Sequence, residues 1–407
     1  MFQQSKARFA QPVLLCMCLL FAGALAHAQE AGGDLVGGAG IFRPKNPDAK
    51  RSGNANRPAR PRLTPAEIEE KYQDAISDGN DARDARKFAV AESSYRAAVN
   101  LKPHDARAFY GLGNIYVDQR RWDDAEEAYR KALDFAATNP DVLTALSLVL
   151  VQPRSGASNA KRFTDAEYFA RRATQLQPNN AMAFDQLGAA MIARGIFNSD
   201  TEAALRHSVE LDPTFLVAKV HLARVLRHLN RSAEADPIYR SAIEQAKDAS
   251  TLVLIADAMQ SEQSWADSEP VLRRALALDA RNPAALFLMA RFLSVNRRYA
   301  EAEPILRTVI EMSPKSFLAR SILGRSYLAL ERYDEAFKTY DQAADLASDS
   351  DRKQLAGVFG FAGVGDGYMK AGRAKDAVRA YSRGLQLDPN NAELQAKIAA
   401  ARAKATS

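Results

Sequence analysis

A pattern of about 34 residues, written nine times, limits this chain more than any other feature. The stretch "RRWDDAEEAYRKALDF" (120–135) returns as "RKFAVAESSYRAAVNL", "RRYAEAEPILRTVIEM", "ERYDEAFKTYDQAADL" and "GRAKDAVRAYSRGLQL". Trp122, Ala125, Ala128, Tyr129 and Ala132 fall at spacings of three and four, with charge on the other face, which is the period of an amphipathic helix. One helix of this kind needs only local physics. Nine of them require a stacked array, because a single helix pair cannot bury its apolar face alone.

The repeats start at Tyr72, Ala106, Asp141, Ala181, Leu216, Ala249, Pro283, Phe317 and Val358. Repeat three carries an added loop, "QPRSGASNAKRF", repeat four one extra residue, and "DRKQLAG" precedes repeat nine. With those insertions realigned, the eighth residue is Gly or Ala in every repeat except at Leu148, and the twentieth is Ala or Ser in every repeat except at Thr201. The twenty-seventh is Ala, Ser or Gly except at Val309. Antiparallel helices joined by a short turn approach to about 8–10 Å, which leaves no room beyond a methyl group at the crossing. Larger residues such as Leu112, Tyr116, Tyr129 and Leu133 fill the grooves and reach the next pair. Pro237, Pro270 and Pro304 share the twenty-second position, inside the first turn of the second helix, where a missing N–H is tolerated. Thr64, Pro65 and Glu67 form a helix start with a capping box. "DPNNAELQAKIAAARAKA" ends the chain as a capping helix, with Leu394 and Ile398 turned inward.

The expected fold is all-α: an α-solenoid of about nine helix-turn-helix repeats over 63–391, with a C-terminal capping helix and tail over 392–407. Residues 1–28 read as a secretory signal. Lys6 and Arg8 precede an apolar run of about fifteen residues, too short to span a bilayer, and "AHA" places cleavage after Ala28. The chain is therefore expected to be exported, to a bacterial periplasm or beyond. Both cysteines lie in this signal, so the mature chain is expected to form no disulfide and to use no thiolate chemistry. Of the net charge of +6, Lys6 and Arg8 carry two, and residues 29–62 carry four through seven bases against Glu30, Asp34 and Asp48. The body from 63 onward is neutral, which argues against nucleic-acid binding. The Gly-, Pro- and Arg-rich stretch 29–62 reads as an extended, disordered linker, and its charge also suits weak contact with an anionic envelope surface.

The segments "AFYGLGNIYVDQRRWDDAEEAYRKAL", "FLMARFLSVNRRYAEAEPILRTVIEMSP" and "SILGRSYLALERYDEAFKTYDQAADL" resemble the tetratricopeptide repeat family over residues 72–391. Ala137, Lys247, Ala280 and Ser348 stand where that family often has a closing proline. The resemblance implies a right-handed superhelix (a right-handed α-solenoid) in which the first helix of each pair lines a concave groove binding an extended or helical partner segment. It also implies that residues two, five, nine, twelve and thirteen of each first helix face that groove. On that basis Arg224, Arg227, Arg291 and Arg325 form a column beside Val220, Phe287 and Leu318, with Asn114 and Tyr110 further up the array. Such a column suits an acidic or carboxylate-bearing segment with apolar anchors. The competing reading is that Asp257 pairs with Arg224 and Arg291 and neutralises the groove from within. The family's carboxylate clamp is not reproduced: Asn80 and Asn114 match its asparagines, but Ile76, Val142 and Leu146 replace its basic residues.

No catalytic, metal or cofactor constellation is expected. His221 and His228 lie two turns apart on one helix with no carboxylate at ligand spacing, and read as surface or groove histidines. "GVFGFAGVGDGYMKAG" has the glycine density of a phosphate loop, but it follows no strand and lacks the ordered motif. It reads as a loosely packed first helix of repeat nine. Carboxylates read as scattered along solvent faces in i,i+4 pairs. The expectation is a non-enzymatic scaffold or adaptor for an envelope assembly. The alternative is an accessory subunit that binds a polysaccharide or glycan-processing enzymes.

Overall fold

The computed structural model describes residues 63–152 and 159–406. The segments read as a secretory signal and a linker, and half of the repeat-three loop, lie outside the described residues. Among the described residues every regular element is an α-helix. They fall into two compact units, one ending at Val142 and the other beginning at Leu143.

The first unit holds α1 (Pro65–Asp84), α2 (Phe88–Leu101), α3 (Ala106–Asp118) and α4 (Trp122–Phe135). Helix α5 (Pro140–Leu150) starts at its end. The second unit continues with α6 (Asn159–Leu176), α7 (Ala181–Ala193), α8 (Ser199–Leu211), α9 (Leu216–His228) and α10 (Ser232–Gln245). It goes on through α11 (Ala249–Ser261), α12 (Trp265–Leu278), α13 (Pro283–Val295), α14 (Tyr299–Met312), α15 (Phe317–Ala329) and α16 (Tyr333–Ala344). The short α17 (Asp349–Ala356) interrupts the alternation, and α18 (Phe361–Lys370), α19 (Ala374–Leu387) and α20 (Ala392–Thr406) close it. The fold is thus an all-α array of helix pairs, with Leu394, Ile398 and Ala401 of α20 buried against the last pair.

First and second helices begin by different means. Asp105, Asn180, Asp248, Asn282 and Ser316 cap first helices with their side chains, and Thr64 and Glu67 complete the capping box of α1. Outside repeat three, second helices follow an αL turn, to which repeat four adds a side-chain cap from Asn198. Arg86, Arg120, Gly195, Asn230, Gln263, Arg297, Glu331 and Gly372, all at the fifteenth position, have φ between 56° and 76°. The next N–H closes back on the eleventh carbonyl, as in Arg121 to Tyr116 at 2.8 Å and Arg373 to Tyr368 at 2.8 Å. This is a Schellman-type closure, and it reverses the chain in three residues.

In repeats one, two, eight and nine the small eighth residue has a specific cause, the tyrosine at the twenty-fourth position of the same repeat. A Cβ added at Gly79 would meet the Tyr95 ring at 2.7 Å, and one at Gly324 would meet Tyr340 at 2.6 Å. Gly113 and Gly365 lie still closer to Tyr129 and Tyr381. Tyr129 therefore sits over the first helix of its own repeat, rather than filling a groove toward the next pair. "GVFGFAGVGDGYMKAG" packs in the same way, with Gly365 under Tyr381 and Gly367 against the Tyr333 ring.

Two further expectations are corrected. Pro237, Pro270 and Pro304 are each the sixth residue of their helix, in the second turn, and so each removes an intrahelical bond. The carbonyls left over belong to Ala233, Ala266 and Ala300, on the outer side of the array. Carboxylates also do more than pair within one helix. Arg298 reaches Glu301 at 2.7 Å in its own repeat and Glu269 at 3.1 Å in the preceding one, and Arg121 joins Asp124 at 2.7 Å and Glu92 at 3.1 Å. Each guanidinium lies over a ring near the end of its repeat's first helix, Phe292 or Tyr116 respectively, so the arginine ties neighbouring repeats together.

Candidate functional site

The ninth residue of each first helix stands beside the twenty-fourth, and its chemistry follows from that neighbour. Where the twenty-fourth is tyrosine and the ninth Asn or Asp, the hydroxyl donates to it: Tyr95 to Asn80 at 2.7 Å, Tyr129 to Asn114 at 2.8 Å, Tyr381 to Asp366 at 2.7 Å. Repeats six and seven have Leu272 and Leu306 at that place, yet their ninth residues are Asp257 and Arg291. Both are charged, largely covered, and deprived of the hydroxyl that serves their counterparts.

Around them, α9, α11 and α13 assemble an ionic cluster. Arg227 binds Asp236 at 2.8 Å, contacts the Ser264 hydroxyl, and lies over the Tyr239 ring with its guanidinium carbon 5.2 Å from the centroid. Glu262, at the C-terminal end of α11, accepts the Tyr239 hydroxyl at 2.7 Å through Oε1. Its Oε2 stands 3.7 Å from Arg227 Nε, too far for a hydrogen bond. Arg291 lies over the Trp265 ring at 5.2 Å, and its Nη1 stops 3.9 Å from Asp257 Oδ1. Asp257 Oδ1, Glu262 Oε2 and the Nε atoms of Arg224, Arg227 and Arg291 are all buried without a hydrogen-bond partner among the described residues. The charges nearly balance while the hydrogen bonds do not.

Burial governs how these groups ionise. It pushes the Asp257 carboxyl up to about 6, against the pull of Arg291 and Arg224. It pushes Glu262 up to about 7, opposed by the Tyr239 hydroxyl, Arg227 and Arg224. Burial also lowers Arg291, against Asp257, and lowers His228, where Arg224 adds to the effect.

The structure separates the residues expected in the groove. Arg224, Arg227, Asp257 and Arg291 come together. Val220 is 0% exposed and Phe287 6%, so both are core residues rather than surface anchors. Helices α9 and α13 are covered on more sides than a single amphipathic stripe suggests. Leu318 is 37% exposed and Arg325 is half-buried one repeat further on. Asn114 serves Tyr129, and the Tyr110 ring packs 5.8 Å from the Tyr129 ring, in the first unit. His221 is also in the core rather than at the surface or groove. Its Nδ1 lies 2.7 Å from Asp185 Oδ1, a carboxylate supplied by the neighbouring repeat, while His228 stacks on Phe197. Glu262, Tyr239, Asp236 and Trp265 were not legible as site residues. Glu262 falls at a turn position occupied elsewhere by Gln119, Leu229, Asn296 and Ala371, which gives no pattern to read. Among the described residues no group of His, Asp or Glu is arranged to hold a metal, and no helix is long and apolar enough to cross a membrane.

Residues 78–140 match the model of the tetratricopeptide repeat family. Over that stretch the repeats are similar to the tetratricopeptide type. Residues 261–343 match a second helical-repeat model, described as anaphase-promoting complex, cyclosome, subunit 3. Among curated proteins the chain is similar to the cellulose synthase operon protein C of Pseudomonas fluorescens (strain SBW25), at 30% identity over 213 residues. That alignment covers 50% of this chain and 16% of the relative, so the chain spans about a sixth of the relative's length. Similar solved structures include a thermophilic tetratricopeptide-repeat protein of Thermus thermophilus (22% identity, TM-score 0.40, 46% of this chain and 99% of that one). Others are Pseudomonas aeruginosa pilF (18%, 0.41, 55% and 99%) and the Cut9–Hcn1 assembly of the anaphase-promoting complex (14%, 0.40, 82% and 90%).

Proposed function

We propose that this protein is a non-enzymatic interaction scaffold of a bacterial envelope, and that it grips a carboxylate-bearing segment of a partner protein on the first helices of repeats five to eight. The observation that carries the reading is the cluster of Arg224, Arg227 and Arg291, whose Nε donors are covered yet unpaired. A fold seldom leaves several guanidinium donors in that state, because each uncompensated charged group costs more than about 1–3 kcal/mol. Arginine also suits the planar, two-oxygen geometry of a carboxylate. Arg325 and the partly exposed Leu318 extend the surface to repeat eight and offer a further cation and an apolar contact.

The test is crosslinking of the exported protein in cell envelopes, comparing wild type with the combined Arg224→Gln, Arg291→Gln and Arg325→Gln variant, both checked for helix content. Partners captured by wild type and lost in the variant support the reading; identical captures sink it. A second reading has its own support, the similarity of half the chain to a cellulose synthase operon protein. On that reading the assembly served is one that makes or exports an envelope polymer. Capture of polymer-synthesis subunits through the same surface would favour it.

A further inference from the structure

Resting on that reading of the arginine cluster, we propose that its own acids, Asp257 and Glu262, stand in for the partner's carboxylate, so that binding an acidic segment and protonating these two side chains are one linked event.

The geometry sets up a competition. Asp257 is 7% exposed and the Glu262 side chain 3%, and each turns one oxygen, Oδ1 or Oε2, toward an arginine it does not reach. Arg227 is held back by Asp236 and the Tyr239 ring, Arg291 by the Trp265 ring, so neither pair can close without giving up a better contact. With both acids ionised, the cations of Arg224, Arg227 and Arg291 are balanced by Asp236, Asp257 and Glu262. An incoming carboxylate would then bring a fourth negative charge into a covered site, where solvent screens it weakly. With both acids neutral, two positive charges are uncompensated and each acid becomes a donor, so the same carboxylate meets guanidinium N–H and carboxyl O–H groups together.

The groups around each acid favour this exchange. Asp257 faces Arg291 from α13 and Arg224 from α9. Glu262 faces Arg227 and Arg224 from α9 and Tyr239 and Asp236 from α10, while Asp267 of α12 approaches Arg227 at 3.9 Å. His228 is on the same helix as Arg224, but burial and that arginine lower its pKa, opposite to the two acids. Both acids release their protons near neutrality, within the range an envelope compartment can visit. Aromatic faces in the cluster are already covered by guanidinium groups, which favours a peptide carboxylate over a stacked sugar ring.

The experiment uses a fluorescently labelled octapeptide of alternating glutamate and leucine, with its glutamine–leucine counterpart as control, against the mature protein at pH 5.5, 6.5 and 8. The glutamate peptide is expected to bind about tenfold or more tightly at pH 5.5 than at pH 8, while the control shows no such trend. The double variant Asp257→Asn/Glu262→Gln is expected to bind at pH 8 as wild type does at pH 5.5, without pH dependence. Calorimetry of wild type in two buffers of different ionisation enthalpy gives a readout independent of any variant: uptake of up to about one proton at pH 6.5. Binding that ignores pH, or takes up no proton, overturns the linkage but leaves the arginine surface standing. No binding of the glutamate peptide at any pH, by wild type or variant, overturns both.

Discussion

Repeats two and six are built on the same register and use it in opposite ways. In repeat two, Tyr129 seats on Gly113 and donates to Asn114, so ring, glycine and amide complete one another. In repeat six, Ala256 and Leu272 replace the glycine and the tyrosine, both fully buried, and Asp257 keeps a polar ninth residue with no hydroxyl to receive. The first arrangement spends its polar groups on the fold. The second leaves them uncompensated, and such strain persists where something other than stability is selected.

Three measurements would break or sharpen that contrast. The largest effect is expected at Gly113→Ala, where a methyl group drives into the Tyr129 ring. It should cost about 2–3 kcal/mol in urea unfolding, while Ala256→Gly in repeat six costs only about 1 kcal/mol. Equal losses would show that the two packings do not differ.

Next come the acids. Glu262 has an ordinary value of 4.5 and holds its proton to about 7 when folded; for Asp257 the values are 3.8 and about 6. The folded state therefore binds these protons more tightly than the unfolded one. The stability they contribute is complete below pH 3.8 and is lost progressively as pH rises through 6 and 7. At pH 8 the double variant Asp257→Asn/Glu262→Gln should be more stable than wild type, by on the order of 2 kcal/mol. That advantage should shrink toward low pH and vanish only below pH 3.8. An advantage that grows toward low pH would reverse the assignment.

The smallest effect is expected from Asn114→Ala. It leaves the covered Tyr129 hydroxyl without its acceptor and should cost about 1–2 kcal/mol, with no dependence on pH between 5 and 8. A pH-dependent loss would mean that the first unit, too, carries an unmatched charge.

The sequence by itself determined the architecture of helix pairs, because a period of about 34 residues with small residues at fixed places has few other physical solutions. The cap at Thr64 and the inward side of α20 were legible for the same reason, since each depends on residues near in sequence. The arginines of the cluster were also visible, as they recur at matching register positions along neighbouring helices. What surrounds them was decided by the tertiary structure. The burial of Val220 and Phe287, the reach of Glu262 to Tyr239 and the Asp185–His221 pair all depend on how one repeat lies against another. So does the αL turn, adopted by Arg120, Asn230, Gln263 and Glu331 with no shared residue type, because the packed helices on either side fix its geometry. Local pattern fixes which face of a helix is apolar. Only the approach of the next repeat fixes which polar atoms lose their water, and in this protein those atoms make the site.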